Sequence, residues 1–593
     1  MTSNTNSLPR LPVPKLHQTI NKFLNSVRPL LTLEEYSQTA DLAQEFLNKE
    51  GIYLQGLLLD RAASTDNWLT EWWLETAYLK FRGPLPIYST PVCVRSKQQF
   101  TNVSHWIDYL SKYLYATGKF FDLVRNNNLP QDIIGDSPLC MSQYNKLAGT
   151  YRIPGVEIDS LRYSPDTNHV LVIHRGRYFK LPIYTGEGEL KRVLQPYLIK
   201  HLLYSIISMP EEEQVPVGVL TSLDRYSWCV ARQEMMTSSV NKHSLDVIEE
   251  SMLAIELDEP GIESYESFFI QTMIGDLSEN FRYYNRWHDI RYQKVVTSDG
   301  FSSSSMEHTA TDGSAAMTQA AHTYSYTTPV SDIPVSLEQL PFLEELKWEI
   351  SPIVASYITD AKYRLIQLSK KLSVKIFTFS GFGKNLPKSL KLSPDSNIQL
   401  AIQLTFFKLH GVSTACYESV TTTKFYEGRT DTIRSTSIES DELVRHLYFN
   451  GDVMSDKLLG LLKKFYIAHN KYSIEAWNGQ GIDRHLFGLE MLSKQHNMSP
   501  KLFSNLGYIR NKHFQLSTSQ LPNKYYQYPG YAPLVQDGYG VCYNPQKSDI
   551  HFIVSSYNSC PDTVTADRFS EVLIESLFCI KTLLEQFPVP SRL

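Results

Sequence analysis

The sequence predicts an α/β protein of two similar halves that meet near residue 350. Three observations support this. Short β-branched runs alternate with helix-period segments, the alternation recurs in the second half, and no repeat of about 20 to 50 residues marks a solenoid or propeller. A chain of 593 residues can bury a sizeable core in each half, and 42% hydrophobic against 20% charged residues excludes a disordered, collagen-like or coiled-coil chain.

Taken in order, residues 8–16 (LPRLPVPKL) are punctuated by proline, which biases each preceding residue to extended backbone, and read as an ordered arm. Residues 16–50 carry apolar positions at helical spacing, with Thr32 as N-cap before Leu33, Glu34 and Glu35. The runs 169–174, 178–183 and 217–221 are short and β-branched and read as strands, with helices over 192–209 and 243–255. Residues 301–328 are dense in Ser, Thr, Ala and His, and by composition alone form a linker. In the second half a helix over 396–410 precedes a Thr-rich strand in 414–425. A helical stretch over 492–503, strands near 514–519 and 551–556, and a final helix over 568–587 complete it.

Charge and cysteine usage narrow the function. With 57 Lys and Arg against 62 Asp and Glu and no basic stripe, duplex nucleic acid is excluded as a partner, because phosphate neutralisation supplies most of that affinity. Seven scattered cysteines without a C-x-x-C pair read as reduced thiols of the cytosol, mitochondrion or peroxisome. Residues 1–14 lack the segments of a secretory signal, and no window of about 18 apolar residues predicts a membrane span. The chain ends Ser591-Arg592-Leu593, one Lys-to-Arg change from the S-K-L address. A peroxisomal import receptor is therefore an expected partner, the peroxisome the expected location, and the mitochondrion a second one.

No nucleotide-binding P-loop is present, since Gly381-Phe382-Gly383-Lys384 lacks the leading glycine; H-E-x-x-H, G-x-S-x-G and a strand-linked G-x-G-x-x-G are also missing. What remains is His308 with Asp312 and Gly313, which spacing alone reads as a loop histidine beside an Asp-Gly turn. Its surroundings are more specific. The arm at 8–14, Trp72-Trp73-Leu74, Tyr88-Ser89-Thr90-Pro91, Met306-Glu307-His308, Tyr417-Glu418-Ser419, the segment 428–435 (GRTDTIRS), Ser517-Thr518-Ser519-Gln520 and Asp537-Gly538-Tyr539-Gly540 occur in that order. Together they resemble the carnitine/choline acyltransferase family from the first arm to the last helix.

The resemblance implies a fold of two chloramphenicol-acetyltransferase-like halves, 1–350 and 351–593, each a mixed sheet flanked by helices, with the active site in a tunnel between them. The first half carries the catalytic histidine and its first helices pack on the other half. It also implies reversible transfer of acetyl or another short acyl group between coenzyme A and L-carnitine, with acyl-CoA as substrate and no permanently bound cofactor or metal. His308 matches the catalytic histidine. Asp312, where many members have Glu, would orient it or pair with a cation, and Ser519 would donate to the oxyanion. Tyr417, Thr430 and Arg484 match the carnitine carboxylate positions, and Ser517, Trp73 and Tyr78 line the acceptor pocket. Tyr531 stands where the family has a Phe against the quaternary ammonium. Lys384 and Lys388, at i and i+4, match the lysines for the 3′-phosphate, and Asp395, Ser419 and Gln520 match contacts to the rest of coenzyme A. A carnitine site needs a cation that a choline site does not, so Arg484 and Thr430 point to the carnitine branch. The short Tyr528-Pro529-Gly530-Tyr531 segment favours short acyl chains, while Pro529, where acetyl-specific relatives have Met, leaves medium chains as the alternative. A catalytically silent thioester-binding homologue is the second alternative.

Overall fold

The computed structural model describes residues 8–278, 281–326, 340–521, 525 and 528–588. The expected targeting tripeptide Ser591-Arg592-Leu593 lies outside the described residues.

Two mixed sheets organise the chain. The first has eight strands in the order Glu344–Leu346, Arg177–Pro182, His169–His174, Ala254–Asp258, Tyr292–Thr297, Ser302–Met306, Val92–Val94 and Tyr528–Gly530. His169–His174, Ala254–Asp258 and Tyr292–Thr297 run parallel, as buried β-branched runs do, and the outer pairs are antiparallel. The last strand comes from far along the chain: Tyr528–Gly530 pairs antiparallel with Val92–Val94, placing Pro529 opposite Cys93. The second sheet has six strands in the order Leu372–Phe379, Ile550–Tyr557, Tyr539–Pro545, Leu516–Gln520, Cys416–Thr421 and Thr430–Arg434.

Helices cover both sheets. Val103–Arg125, Pro196–Ile207 and Gly313–Ser325 bury one face of the first sheet, and Pro352–Ser369 with Tyr265–Ile274 the other. Pro394–His410 and Ala566–Gln586 cover the second sheet. A further apolar cluster joins the arm and the first helices, through Leu11, Phe23, Phe46 and Leu58, to Ile482, Leu489 and Tyr508 of the C-terminal half. All seven cysteines are free thiols, five of them buried. Among the described residues no helix is long and apolar enough to cross a membrane.

The helices and the Thr32 cap expected over 16–50 are present, with Pro29 diverting the chain into a 3-10 turn (Arg28–Leu30) between Leu16–Val27 and the next helix. Thr32 then caps Leu33–Asn48 in a box with Glu35. Several other local expectations are corrected. The run 217–221 is not a strand but the 3-10 helix Val217–Ser222, buried throughout. Its Gly218 N–H donates to Tyr178 Oη at 2.9 Å, and the Thr221 and Ser222 hydroxyls donate to carbonyls three residues back. β-Branched composition reported burial there, not extension.

Within the supposed linker 301–328, whose residues 327 and 328 lie outside the described residues, stand the inner strand Ser302–Met306 and the helix Gly313–Ser325. Its serines can be buried because they have partners: Lys294 Nζ donates to Ser302 Oγ at 2.6 Å and Tyr292 Oη to Ser304 Oγ at 2.8 Å. The helix expected over 192–209 is Pro196–Ile207, that over 243–255 ends at Glu249 before the strand Ala254–Asp258, and that over 492–503 is the end of Asp483–Gln495 followed by a 3-10 turn.

Candidate active site

His308 lies in the loop between the buried strand Ser302–Met306 and the helix Gly313–Ser325. Its imidazole stacks on Tyr78, with ring centroids 5.9 Å apart and planes 6° from parallel, and Tyr78 Oη lies 3.3 Å from Nδ1. Burial holds the imidazole below its ordinary range; Asp312 opposes this, and Arg429 and Arg291 reinforce it. The ring is neutral at pH 7. Burial also pushes the Tyr78 hydroxyl up to about 12, so it remains a phenol that can donate or accept.

Asp312 does what a short carboxylate at this place can do: it pairs with a cation. Arg429 Nη2 is 2.9 Å from its Oδ1 and Arg429 Nε 3.2 Å from Oδ2, and Gln143 Nε2 donates to Oδ2 at 3.0 Å. Burial works to raise this carboxyl, but the Arg429 guanidinium holds it below its usual range. Arg429, just before the second-sheet strand Thr430–Arg434, also donates to the His308 carbonyl at 3.1 Å and the Thr309 carbonyl at 2.5 Å. One side chain from the second half thus grips the histidine loop of the first. Beneath the loop, Arg152 pairs with Glu307 at 3.0 Å and donates to the Tyr78 carbonyl at 2.7 Å.

The second sheet supplies hydroxyls. Strand alternation puts Tyr417 and Ser419 on one face of Cys416–Thr421, and Ser517 and Ser519 on the same face of Leu516–Gln520, with Tyr417 opposite Ser517. Ser419 Oγ donates to Ser519 Oγ at 3.4 Å, and Ser517 Oγ lies 2.9 Å from Tyr531 Oη. Gly540 is required beside this pair, because a Cβ there would sit 2.9 Å from the Tyr531 carbonyl and 2.5 Å from Ser555 Oγ. Gln520 ends the strand, half-buried.

Arg484, 6% exposed at the start of Asp483–Gln495, is the cation beside these hydroxyls. Its Nε donates to the Thr430 carbonyl at 3.0 Å, and its Nη2 lies 3.5 Å from both Tyr417 Oη and Thr430 Oγ1. The guanidinium carbon sits 3.6 Å from the centre of the Trp73 ring. Trp73 therefore spends this face on Arg484, and packs edge-on against Phe487. A small cavity lined by Thr422, Thr430, Asp431, Arg484 and His485 adjoins the guanidinium.

The remaining expected positions lie on other elements of the C-terminal half. Lys384 leads into the short helix Asn385–Ser389, and the Lys388 N–H donates to the Lys384 carbonyl at 3.3 Å, so the two lysines stand one helical turn apart. Asp395 turns inward, accepting from Tyr543 Oη at 2.5 Å. With Glu418 and His469 it brings ligating atoms within 4.8 Å of one another, but both His469 nitrogens are engaged, by Ser396 Oγ at 2.9 Å and Glu418 Oε2 at 3.0 Å. Burial pushes both carboxyls up, which favours a shared proton between them.

Arg429 is the functional residue whose role the sequence reading missed, although it lies inside the quoted 428–435 segment. The signal was present: a carboxylate four residues from a buried histidine needs a cation, and Arg429 stands next to the Thr430 already chosen.

A neutral histidine gripped between two sheets, with a row of hydroxyls and a buried guanidinium alongside, is the equipment of an acyltransferase. Residues 11–575 match the family described as choline/carnitine O-acyltransferase. Carnitine O-acetyltransferase of Mus musculus is 35% identical over 99% of this chain and 95% of its own length, and that of Homo sapiens 34% over 99% and 95%. Choline O-acetyltransferase of Danio rerio is 32% identical over 96% of this chain and 92% of its own. The chain belongs to the choline/carnitine O-acyltransferase family and is an acyltransferase.

Proposed function

We propose that the protein reversibly transfers acetyl, or another short acyl group, between coenzyme A and L-carnitine, with His308 as general base. One observation carries the choice of acceptor: the buried Arg484, stacked on Trp73 and flanked by the hydroxyls of Tyr417 and Thr430. A carboxylate meets there a preorganised cation with hydroxyl donors; choline has no group to offer it. The Tyr531 ring beside Ser517 suits the trimethylammonium, an attraction of about 2 kcal/mol when desolvated.

The chemistry follows from a neutral imidazole. His308 takes the proton of the carnitine hydroxyl as its oxygen attacks the thioester carbonyl, and the C–S bond then breaks as the imidazolium returns the proton to the leaving thiolate. The new C–O bond replaces the old C–S bond and no covalent enzyme intermediate forms. Such a base is worth about 10²- to 10⁴-fold. Ser519 donates to the oxyanion, worth about 2.7 to 4 kcal/mol in comparable sites. Lys384 and Lys388 take the 3′-phosphate of coenzyme A, with Ser419 and Gln520 along the rest of it. Asp395 contributes through its buried network.

The test is thiol release from acetyl-, octanoyl- and palmitoyl-CoA with carnitine or choline as acceptor. Carnitine-dependent release strongest with acetyl-CoA is expected. An octanoyl preference would move the protein to medium chains, a choline preference would overturn the Arg484 argument, and no release with any pair would make it a silent thioester-binding homologue. Peroxisomal import through Ser591-Arg592-Leu593 is checked by moving the tripeptide to a fluorescent reporter, where diffuse signal would count against it.

A further inference from the structure

Arg291 lies immediately before the strand Tyr292–Thr297 and is 1% exposed. Its backbone is pinned on both sides: its N–H donates to the Thr150 carbonyl at 3.2 Å, and its carbonyl accepts from the Glu307 N–H at 3.1 Å, one residue before His308. Its Nη2 lies 3.5 Å from the Thr311 carbonyl and also donates to the Thr311 hydroxyl. Nε and Nη1 have no hydrogen-bond partner among the described residues. The guanidinium is therefore seated against the same 307–312 loop that Arg429 grips from the other half.

The carboxylates around it, Glu307 and Asp312, favour its charge across space but make their hydrogen-bonded pairs elsewhere. Glu307 is paired with Arg152 at 3.0 Å and accepts from the Thr309 hydroxyl, and Asp312 is paired with Arg429 at 2.9 Å. Burial pulls the Arg291 guanidinium down to about 10, which still leaves it a cation at neutral pH. An unpaired buried charge is costly, and its field is weakly screened.

We propose that Arg291 is a positioning residue that adds to burial in disfavouring the His308 imidazolium, by holding a cation with no hydrogen-bonded carboxylate against the 307–312 loop. This rests on the reading of His308 as general base. Burial is the largest influence on this imidazole, and the other charges facing it come in pairs. Asp312 on its own loop favours the imidazolium, Arg429 from the second half is matched by that same Asp312, Glu307 is matched by Arg152, and Tyr78 is a neutral phenol. Among these charges Arg291 is the cation that holds no carboxylate in a hydrogen-bonded pair among the described residues. Arg429 cannot serve as the probe, because removing it also removes the hydrogen bonds to the carbonyls of His308 and Thr309.

The experiment combines NMR titration of the His308 ring, assigned with His308→Gln, with the pH profile of kcat/KM for acetyl transfer to carnitine. In the unmodified protein the ring is expected to titrate below the ordinary histidine value of about 6.5. In Arg291→Met the titration and the acid limb of the profile should both move up by roughly one pH unit, so that kcat/KM falls about three- to eightfold at pH 6 and by less than about 1.5-fold at pH 8. Arg291→Lys, which keeps the charge, should restore the limb. An equal loss at every pH with the titration unmoved would reduce Arg291 to a structural role and overturn the proposal. If Arg291→Met does not fold, the unmodified protein still decides, because a His308 titrating at or above about 6.5 overturns it. Absence of acyl transfer from the unmodified protein would sink the function while leaving the titration to judge the electrostatics.

Discussion

Arg484 touches the Thr430 carbonyl, the Tyr417 and Thr430 hydroxyls and the Trp73 ring at once, so its guanidinium is held in place before any substrate arrives. A charged hydrogen bond of this kind is worth about 1.5 to 3 kcal/mol. Arg484→Asn should therefore raise the KM for carnitine by roughly 10- to 150-fold while leaving that for acetyl-CoA within about twofold, as steady-state kinetics with each substrate varied will read. Equal changes in both constants would overturn the proposal that Arg484 binds a carboxylate. His308→Ala should lower kcat by about 10²- to 10⁴-fold with carnitine and coenzyme A still bound in calorimetry. Ser519→Ala should cost about 10²- to 10³-fold in kcat with little change in either KM, because an oxyanion donor acts mainly in the transition state.

Among the elements, the helix Asp483–Gln495 links site and scaffold. Next to Arg484, His485 bonds Thr19 Oγ1 at 2.7 Å and Gln55 Oε1 at 2.8 Å, tying the first helices to the C-terminal half. Burial lowers this imidazole to about 3, whereas the unfolded chain takes the proton near 6.5. Between those values the unfolded state binds the extra proton, so this contribution to stability shrinks as pH falls below about 6.5, by about 2 kcal/mol at pH 5. His485→Gln should therefore show a smaller drop in Tm between pH 7 and pH 5 than the unmodified protein, measured by calorimetry.

Element by element, what could be read from the residues was local. The capping box at Thr32 and Glu35, the β-branched run 169–174 and the helix ending at Gln586 follow from neighbours in the chain. The run 217–221 and the serine strand 302–306 were misread because burial on all sides and hydroxyl partners from distant residues decide their form. The resemblance pointed to His308, Ser519 and Arg484 as candidates, but the grip of Arg429 on a loop 117 residues away and the seating of Arg291 behind it exist only in three dimensions.

At the scale of the whole molecule, the strand Tyr528–Gly530 makes the two halves one structure, since it completes the first sheet with residues that otherwise belong to the second. Gly530 marks where they press together: a Cβ there would lie 2.8 Å from Ile553 Cγ2 and 2.9 Å from Phe269 Cε2. Gly530→Val should destabilise the fold by about 1 to 3 kcal/mol, seen as a lower midpoint in denaturant, because the clash falls in packed core on both sides. With so much shared core, activity and near-ultraviolet dichroism should be lost in a single coincident transition; two separated transitions would mean that the halves unfold independently.

That same strand sets a timetable for a chain still on the ribosome. At roughly 5 to 20 residues per second, Val92–Val94 is made tens of seconds before residues 528–530 that complete its pairing. Throughout that interval the growing first half presents an open sheet edge, the kind of surface that recruits other strands. Nascent chains truncated before residue 528 should therefore depend on chaperones for solubility, and the finished protein should not.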